Sequence, residues 1–346
     1  MQHHYVGLDV SLEQTSICIV DAAGRTVRGA KVASDPDAIA AYLRRQELAI
    51  ERLGLEAGPL SQWLHAGVVA ASLPAICIET RHTKAALGAM IAKTDRNDAR
   101  GIAQLMRTGW FRAVHVKTPE SQEWRLLLGH RRLLVNKLID VEAEIRGTLR
   151  GFGLKLGKVS RGRFEARVLE LLADHPRLLA IVRPVLAVRT VLLAQRAMLH
   201  RMVLDAVRDD AVCRRLMTVP GVGPVTALTF RATVDQAERF EKSKSVGAHL
   251  GLTPRRYQSG EIDRAGRISK SGDGMTRHAL FEAATSMLTR VTKPSALRTW
   301  ALRVAKRRGP QKARVALARR LAVVLHRMWR DGSVFDPGVP EAGAAA

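Results

Sequence analysis

Apolar and polar residues alternate in three short runs near the start of the chain, and each run predicts a β-strand. The runs cover residues 5–10, 15–20 and 26–32, and a turn at residues 22–25 precedes the third run. Alternation with a period of two residues, bounded by glycine and other turn residues, is typical of neighbouring antiparallel strands. The sequence therefore predicts a three-stranded meander.

The apolar positions then change their spacing, and strands begin to interleave with helices. One helix is predicted over residues 36–45, with Asp35 as its N-cap, and another over residues 60–69. Residues 53–56 and 75–79 are predicted as two further strands. Strands that alternate with helices indicate an α/β layer with some parallel pairing.

The middle of the chain carries a helical seam in which positions recur every three or four residues. The seam residues are Trp124, Leu128, Arg131, Val135, Leu138, Glu142, Ile145 and Leu149. This spacing is typical of a coiled coil on one long helix. Gly151, Gly153 and Gly157 interrupt the seam, and a second helical region starts near Phe164 and continues beyond Pro184. The two regions predict a helical hairpin, which is either an ordinary packing element or a dimerisation arm.

The last third of the chain opens on a compact turn motif. Residues 219–224 read Val-Pro-Gly-Val-Gly-Pro, similar to a helix-hairpin-helix turn whose backbone N–H groups contact DNA phosphates. A tight turn that only packs two helices is the alternative. The final helix is predicted from Pro310 to a stop at Gly332, and residues 336–346 are predicted to be disordered.

The charge balance indicates an anionic partner. The chain has 56 Lys and Arg residues against 32 Asp and Glu residues, a formal charge of +24, and nucleic acid is the polyanion that such a surface suits. Hydrophobic residues make up 47% of the chain, which excludes a disordered basic tail. Aromatic residues make up only 4%, which argues against base stacking as the main binding mode. A merely basic protein without catalytic function is the alternative.

Cysteine content and hydropathy favour the cytoplasm. Cys18, Cys77 and Cys213 are too few and too scattered for a disulfide framework or a zinc cluster. Residues 66–78 are strongly apolar but too short to span a bilayer. We therefore expect a cytoplasmic protein without a membrane partner.

Four acidic residues of the predicted α/β region form a candidate metal site. Asp9 lies in the first strand, Glu56 ends a later strand, and Asp95 and Asp98 share the first turn of a helix capped by Thr94. Carboxylates that converge from such positions raise one another's pKa unless cations neutralise them. Oxygen ligands suit Mg²⁺, the usual ion of phosphoryl transfer. For the two helix residues, a solvated helix start is the alternative.

A second candidate site lies in a basic, Gly- and Ser-rich segment over residues 251–277. Ser259 lies there among cations that would hold a phosphodiester and stabilise its developing charge. Ser269 and Ser271 are competing candidates, and a phosphate-binding loop without covalent chemistry is the alternative. The candidate nucleic-acid contacts are Arg255, Arg256, Arg267 and Lys270.

Five motifs occur together, in one order, over about residues 5–290. They are Val6-Gly-Leu-Asp9, Leu55-Glu56-Ala-Gly-Pro59, Lys93-Thr-Asp95-Arg-Asn-Asp98-Ala-Arg100, Val219-Pro-Gly-Val-Gly223 and Gly251-Leu-Thr-Pro-Arg-Arg-Tyr-Gln-Ser259-Gly260. In these motifs the chain resembles the DEDD transposases of the IS110 insertion-sequence family.

The resemblance implies three domains and a set of catalytic residues. It implies a RuvC-like, RNase-H-like α/β domain over residues 1–115, a coiled-coil connector over residues 116–210 and a mainly α-helical transposase domain over residues 211–335. The catalytic residues that it implies are the Mg²⁺ ligands Asp9, Glu56, Asp95 and Asp98 and the nucleophile Ser259. One departure concerns Glu56, which is followed by Ala-Gly-Pro where the family often has Thr-Gly, so Glu79 is a less favoured substitute.

The resemblance also implies partners. Family members look like recombinases that move their element through a phosphoserine link, guided by a structured bridge RNA that pairs with donor and target DNA. The serine of one copy completes the carboxylate site of another, so we expect a homo-oligomer, either a dimer or a tetramer. Two alternatives stay open, a Holliday-junction-resolving metal nuclease without serine chemistry and a non-enzymatic nucleic-acid-binding protein.

Overall fold

Five strands of the amino-terminal unit (Met1–Lys117) form one mixed sheet in the computed structural model, which describes residues 3–88 and 93–338. The strands are β1 (His4–Val10), β2 (Gln14–Val20), β3 (Thr26–Ala33), β4 (Ile50–Glu56) and β5 (Ala75–Ile78). The first three form the predicted antiparallel meander, while β4 joins β1 in parallel and β5 joins β4 in parallel. The spatial order β3-β2-β1-β4-β5 is RNase-H-like, so the predicted α/β fold class is confirmed.

Among the described residues, four helices complete this unit, and one of them packs directly on the central strand. They are α1 (Pro36–Arg44), α2 (Ser61–Ala70), α3 (Thr80–Leu87) and α4 (Asp95–Thr108). Asp35 caps α1 as predicted, because its carboxylate accepts hydrogen bonds from the backbone N–H groups of Asp37 and Ala38 at 3.0 Å. Gly7 of β1 permits the close approach of α4, since a Cβ atom there would lie 2.0 Å from the carbonyl oxygen of Ala99.

The second unit (Thr118–Ala346) is mainly α-helical and includes most of the predicted connector and the predicted transposase domain. Its helices are α5 (Pro119–Gly151), α6 (Phe164–Leu171), α7 (Pro176–Asp209), α8 (Ala211–Leu216), α9 (Pro224–Val234), α10 (Ser243–His249), α11 (Gly274–Thr289), α12 (Ala296–Arg308) and α13 (Pro310–Asp331). Two strands, β6 (Pro254–Ser259) and β7 (Ile262–Ile268), form a separate hairpin. Residues 339–346, the end of the predicted disordered tail, lie outside the described residues.

Helices α5 and α7 form the predicted helical hairpin, and its seam contains two polar layers. In one layer Glu142 accepts hydrogen bonds from Arg189, a side chain only 2% exposed, with 3.0 Å between the donor Nε and the carboxylate oxygen. In the other layer Arg131 lies beside Arg196 and His200. Burial and the charge of Arg196 lower the pKa of Arg131, and burial and the charges of both arginines lower the pKa of His200. The Nε atoms of both arginines and Nδ1 of the histidine are buried without a hydrogen-bond partner.

The main core of the second unit surrounds α9, and the Val-Pro-Gly-Val-Gly-Pro turn leads into that helix. Gly221 has a φ of +89°, and a Cβ atom there would lie 2.7 Å from the carbonyl oxygen of Ala283 in α11. Val219 and Val222 are buried beside it. The turn therefore packs helices together, and phosphate contact by its backbone stays a prediction.

Helix α7 is also long and apolar enough, by length and composition alone, to cross a membrane. An 18-residue window has a mean hydropathy of 1.7, and 17% of that window is buried in the structure. The expectation of no membrane partner considered residues 66–78 and overlooked this helix. One such helix is weak evidence for a membrane span, and this one packs along α5 through the buried ion pair of Arg189.

Candidate active site

Two of the predicted acids lie side by side at the ends of neighbouring parallel strands. Leu8 of β1 is in register with Leu55 of β4, so the next residue on each strand, Asp9 and Glu56, lies at the same edge of the sheet. Both side chains are half-buried. This placement follows from the parallel pairing, because parallel strands bring their carboxyl ends to one edge.

The other two predicted acids begin α4. Thr94 caps this helix as predicted, and its hydroxyl oxygen accepts a hydrogen bond from the backbone N–H of Asn97 at 3.2 Å. Asp95 and Asp98 both lie in the first turn, and Asp98 is the more buried of the two. Because α4 packs on β1 at Gly7, its first turn reaches the sheet edge that carries Asp9.

The four carboxylates share one electrostatic environment. Burial raises the pKa of Asp9 above its ordinary value, and the nearby charges of Asp98 and Asp95 raise it further. Burial likewise raises the pKa of Glu56, with further contributions from Asp9 and Asp98. Like charges in a partly desolvated place disfavour ionisation. The fold thus brings the predicted acids together, and their mutual repulsion is not fully compensated by the protein.

Three further side chains act on this cluster and were not identified from the sequence. Lys31 of β3 donates to Asp95 over 2.8 Å between Nζ and Oδ2 and lowers the pKa of that carboxyl. Lys93 opposes the rise in the pKa of Asp9. Thr83, whose hydroxyl donates to the Glu79 carbonyl oxygen at 3.1 Å, opposes the rise in the pKa of Glu56. Strand pairing brings Lys31 to this edge, because Asp9 pairs with Ser16 and Ser16 pairs with Lys31.

The donor set suits a hard divalent cation, although the side chains do not form a complete set of ligands in this structure. Carboxylate oxygens are the ligands that Mg²⁺ prefers. Among residues 3–88 and 93–338, no group of three His, Cys, Asp or Glu side chains is arranged to hold a metal ion. Asp95 points instead to Lys31, in a pair where both side chains are 54% exposed.

Glu79, the less favoured substitute for Glu56, has a different environment. Its carboxylate lies 2.9 Å from a guanidinium nitrogen of Arg81 and 3.7 Å from one of Arg112. Two arginines already compensate this acid, and its charge does not contribute to the raised pKa of Asp9 or Glu56. The structure therefore favours Glu56 as the member of the cluster.

Ser259 is the last residue of β6 and lies at the turn of the exposed hairpin. It pairs with Ile262 of β7 across a two-residue loop, Gly260-Glu261. Gly260 has a φ of +55°, and a glycine with positive φ at the first loop position is typical of a type II′ turn. Every residue of β6 is exposed, so the serine hydroxyl is open to a substrate.

The predicted phosphate contacts differ in how free their charges are. Arg256 makes a bidentate pair with Asp263 of the facing strand, at 2.8 and 2.5 Å, which neutralises its charge within the hairpin. Arg255 donates to the carbonyl oxygen of Ser269 at 3.2 Å, and Arg267 is exposed on β7. Lys270 has a φ of +55°, an uncommon conformation for a residue other than glycine.

The competing serines belong to a tight loop after β7. The hydroxyls of Ser269 and Ser271 hydrogen-bond each other at 2.8 Å. Arg277 of α11 holds this loop in place by donating to the carbonyl oxygens of Leu250, Ser271 and Gly272. Both hydroxyls are engaged and half-buried, whereas the Ser259 side chain is exposed.

Comparison with known proteins places this arrangement in a family. A transposase family model of the IS110 DEDD type matches residues 6–153, and the Transposase IS116/IS110/IS902 family model matches residues 213–301. The chain is 30% identical, over 328 residues, to the transposase for insertion sequence element IS1111A of Coxiella burnetii. That match covers 92% of this chain and 88% of the other. The chain belongs to the IS110 family of transposases.

Other similar proteins carry related descriptions. A probable family 20 transposase of Pseudomonas aeruginosa is 30% identical over 252 residues, which cover 71% of this chain and 75% of that protein. A Thermus thermophilus RuvC structure aligns over 33% of this chain and all of its own, with 13% identity and a TM-score of 0.25. As a member of the IS110 family, the chain is an insertion-sequence transposase and a DNA-processing enzyme.

Proposed function

We propose that this IS110-family transposase cuts and rejoins DNA by phosphoryl transfer, with a divalent cation at the carboxylate cluster and a serine nucleophile. The proposed ligands are Asp9, Glu56, Asp95 and Asp98, and the proposed nucleophile is Ser259. The observation that carries the proposal is the raised pKa of both strand-end acids, to which neighbouring carboxylates contribute. Such a cluster is stabilised by a cation with oxygen ligands.

Mg²⁺ is the cation we propose, because its ligands are oxygens and it accompanies phosphate substrates. When bound, it would stabilise negative charge on the phosphate oxygens of the scissile group. The role of Lys31 is then to hold Asp95 near the cluster, over 2.8 Å, until a cation competes for that carboxylate.

Ser259 would attack the phosphorus atom of a DNA strand. A bond forms between its Oγ and phosphorus, the phosphorus–oxygen bond to one strand end breaks, and the hydroxyl proton ends on the leaving oxygen. Attack by a hydroxyl of another strand reverses these changes and releases the serine, so the phosphodiester is conserved without ATP. Arg255 and Arg267, exposed on the same hairpin, are placed to hold the phosphates.

The proposed partners are donor and target DNA, a structured guide RNA and further copies of the chain. A charge of +24 favours contacts with phosphates, and few aromatic residues favour sequence recognition by a paired RNA strand. We propose that a homo-oligomer brings the serine of one copy to the carboxylates of another. We propose a cytoplasmic activity, because the proposed DNA and RNA partners are found in that compartment.

The serine is tested by trapping covalent protein–DNA adducts formed with the guide RNA, element-end DNA and Mg²⁺. We expect adducts with the wild type and none with Ser259→Ala, while Ser245→Ala, an exposed serine of α10, serves as the matched control. Ser269→Ala and Ser271→Ala are expected to retain the adduct. Asp9→Asn should remove it, and Asp37→Asn, an exposed acid of the same unit, should not.

The outcomes separate the alternatives. Full cleavage by Ser259→Ala, without any adduct, would favour a metal nuclease that uses water as its nucleophile. Adduct loss in Ser269→Ala or Ser271→Ala alone would move the nucleophile to the loop after β7. If neither acid nor serine substitutions alter any nucleic-acid function, the chain acts only as a binding protein.

A further inference from the structure

The turn that joins α5 to α7 closes around a cavity of about 290 Å³. Its lining residues are Arg146, Arg150, Lys155, Leu156 and Gly157. All three charged residues are basic, and no carboxylate from the described part of the chain lines the wall. A concave site with several cations and an apolar wall selects an anionic ligand with a flat or apolar part.

The walls of this cavity are held by a small core of their own. Leu156 is 6% exposed and Phe164 is 2% exposed, and both belong to the hydrophobic cluster at this end of the hairpin. The Arg146 guanidinium lies over the Phe164 ring, 5.2 Å from its centroid, and donates to the Gly157 carbonyl oxygen at 2.9 Å. The cation is thus positioned before any ligand arrives, which lowers the entropy cost of binding.

The charges in this cavity lack acidic partners. Residues 150–163 contain five Lys and Arg residues and no acid. Within the described part of the chain, Arg161 of this turn pairs with Glu142 at 3.4 Å, whereas no ion pair involves the three cavity cations. Arg150 uses only its Nε, which donates to the Arg146 carbonyl oxygen at 3.1 Å, so its terminal nitrogens can still bind a ligand.

We infer that this cavity binds a phosphodiester of a nucleic-acid strand and that the adjacent Phe152 ring stacks on a base. Guanidinium groups match phosphate oxygens with paired hydrogen bonds. Phe152 lies between Arg150 and Lys155 in the sequence and is 59% exposed, so its ring is open to a base. A carboxylate of a partner protein would use the cations but not the exposed ring. The inference rests on the proposed function, since it assigns one contact of the nucleic acid that the transposase handles.

The test compares two double variants that remove equal charge from the same turn. Arg150→Gln/Lys155→Gln removes two cavity cations, and Lys158→Gln/Arg163→Gln removes two exposed cations that do not line the cavity. Binding of labelled duplex DNA, single-stranded DNA and single-stranded RNA is measured between about 50 and 200 mM salt, because affinity that comes from phosphate contacts falls steeply over this range. Circular dichroism melting confirms that each variant is folded.

We expect the cavity variant to lose about two phosphate contacts on its preferred strand. For duplex DNA the slope of log affinity against log salt should become shallower by about 1.8. Between about 50 and 200 mM salt the wild type should then lose about 12-fold more affinity than the variant. For a single strand the decrease is about 1.4. The strand type whose slope falls by the amount expected for two contacts, about 1.8 for duplex DNA or about 1.4 for a single strand, identifies the ligand, and the control pair should change the slope less.

A fluorescent label at residue 152 distinguishes a local contact with nucleic acid from a general effect of charge. Phe152→Cys carries an environment-sensitive dye, which is practical because Cys18, Cys77 and Cys213 are buried. Nucleic acid should change the dye signal in the wild-type background and not in the cavity variant. Equal slopes for both double variants, or a signal that follows only self-association, would overturn the inference. If the wild type binds no nucleic acid at all, the proposed function itself fails.

Discussion

The amino-terminal unit and the helical hairpin each hold a group of like charges, and the two groups differ in what can relieve them. Burial and neighbouring acids raise the pKa of Asp9 and Glu56. Burial and neighbouring cations lower the pKa of Arg131 and of His200. In both places the fold pushes the side chains toward their neutral forms, at a cost to stability.

The acidic group offers the kind of ligand that a divalent cation prefers, whereas the basic layer of Arg131, Arg196 and His200 contains only groups that can carry positive charge. Its carboxylates meet at one sheet edge with oxygens that suit a metal ion, and Lys31 already compensates one of them. In the basic layer the Arg131 and Arg196 Nε atoms and Nδ1 of His200 are buried without partners. The same kind of repulsion therefore supports the proposed cation site in the amino-terminal unit, whereas in the hairpin it only lowers stability.

The largest expected effect comes from breaking the buried ion pair between Glu142 and Arg189 in the helical hairpin. Glu142→Gln should destabilise the second unit by about 3 kcal/mol, because it leaves Arg189 charged and nearly fully buried, although glutamine can still accept one hydrogen bond. Chemical denaturation followed by circular dichroism measures the change. Glu144→Gln, an exposed acid on the same helix, should change stability by less than about 0.5 kcal/mol. Equal effects of the two substitutions would contradict the distinction between the layers.

Sequence patterns gave the elements of this molecule more readily than the partners of its charged residues. The seam on α5 predicted Arg131 and Glu142 as its two polar positions. Their partners depend on the register of α7, which brings Arg189 to Glu142 and Arg196 to Arg131. The four acids were found because strand ends and a capped helix start carry local signals. Lys31 was missed because its contact depends on pairing across two strands.

The β6–β7 hairpin shows a different limit of sequence patterns. Its strands bury almost no side chain, so neither strand has the apolar alternation that marks a half-buried strand. The segment was therefore seen only as basic and rich in Gly and Ser, although Ser259 was identified from its chemical surroundings and the family motif. A two-stranded hairpin without a core of its own is marginal in water, so local sequence patterns carry little signal for it.

The second expected effect is stabilisation of the amino-terminal unit by Mg²⁺, which the acidic group can bind and the basic layer cannot. With Mg²⁺ at about 100 times its dissociation constant, the amino-terminal unit should gain about 2.7 kcal/mol. Asp9→Asn should remove most of that gain, whereas Asp37→Asn should keep it. Hydrogen exchange of amides in β1 and α4, at constant ionic strength, measures the gain within this unit. The same gain in all three proteins would show that the cation acts elsewhere.

The pH dependence of the same site has a definite sign. Because the pKa of Asp9 is raised above its ordinary 3.8, the folded state holds that proton more tightly than the unfolded state. Its contribution to stability is fully present below pH 3.8 and is lost as the pH rises through the folded-state pKa. Without a cation, Asp9→Asn should therefore be more stable than the wild type at neutral pH, and Mg²⁺ should reverse their order.

The smallest expected effect concerns the basic layer, where removing a charge should help rather than harm. Arg131→Met keeps an unbranched chain in the seam and removes both a desolvated charge and the repulsion on His200, so a gain of roughly 1 kcal/mol is expected. The pKa of His200 should rise toward its ordinary 6.5, and NMR titration of its imidazole ring protons measures this change directly. Since a lowered histidine pKa makes stability fall as the pH drops below 6.5, the variant should lose less stability in acid than the wild type. Arg132→Met, on the exposed face of the same helix, should leave the His200 titration unchanged. A lower stability of Arg131→Met, with an unmoved titration, would mean that an anion already compensates this layer in solution.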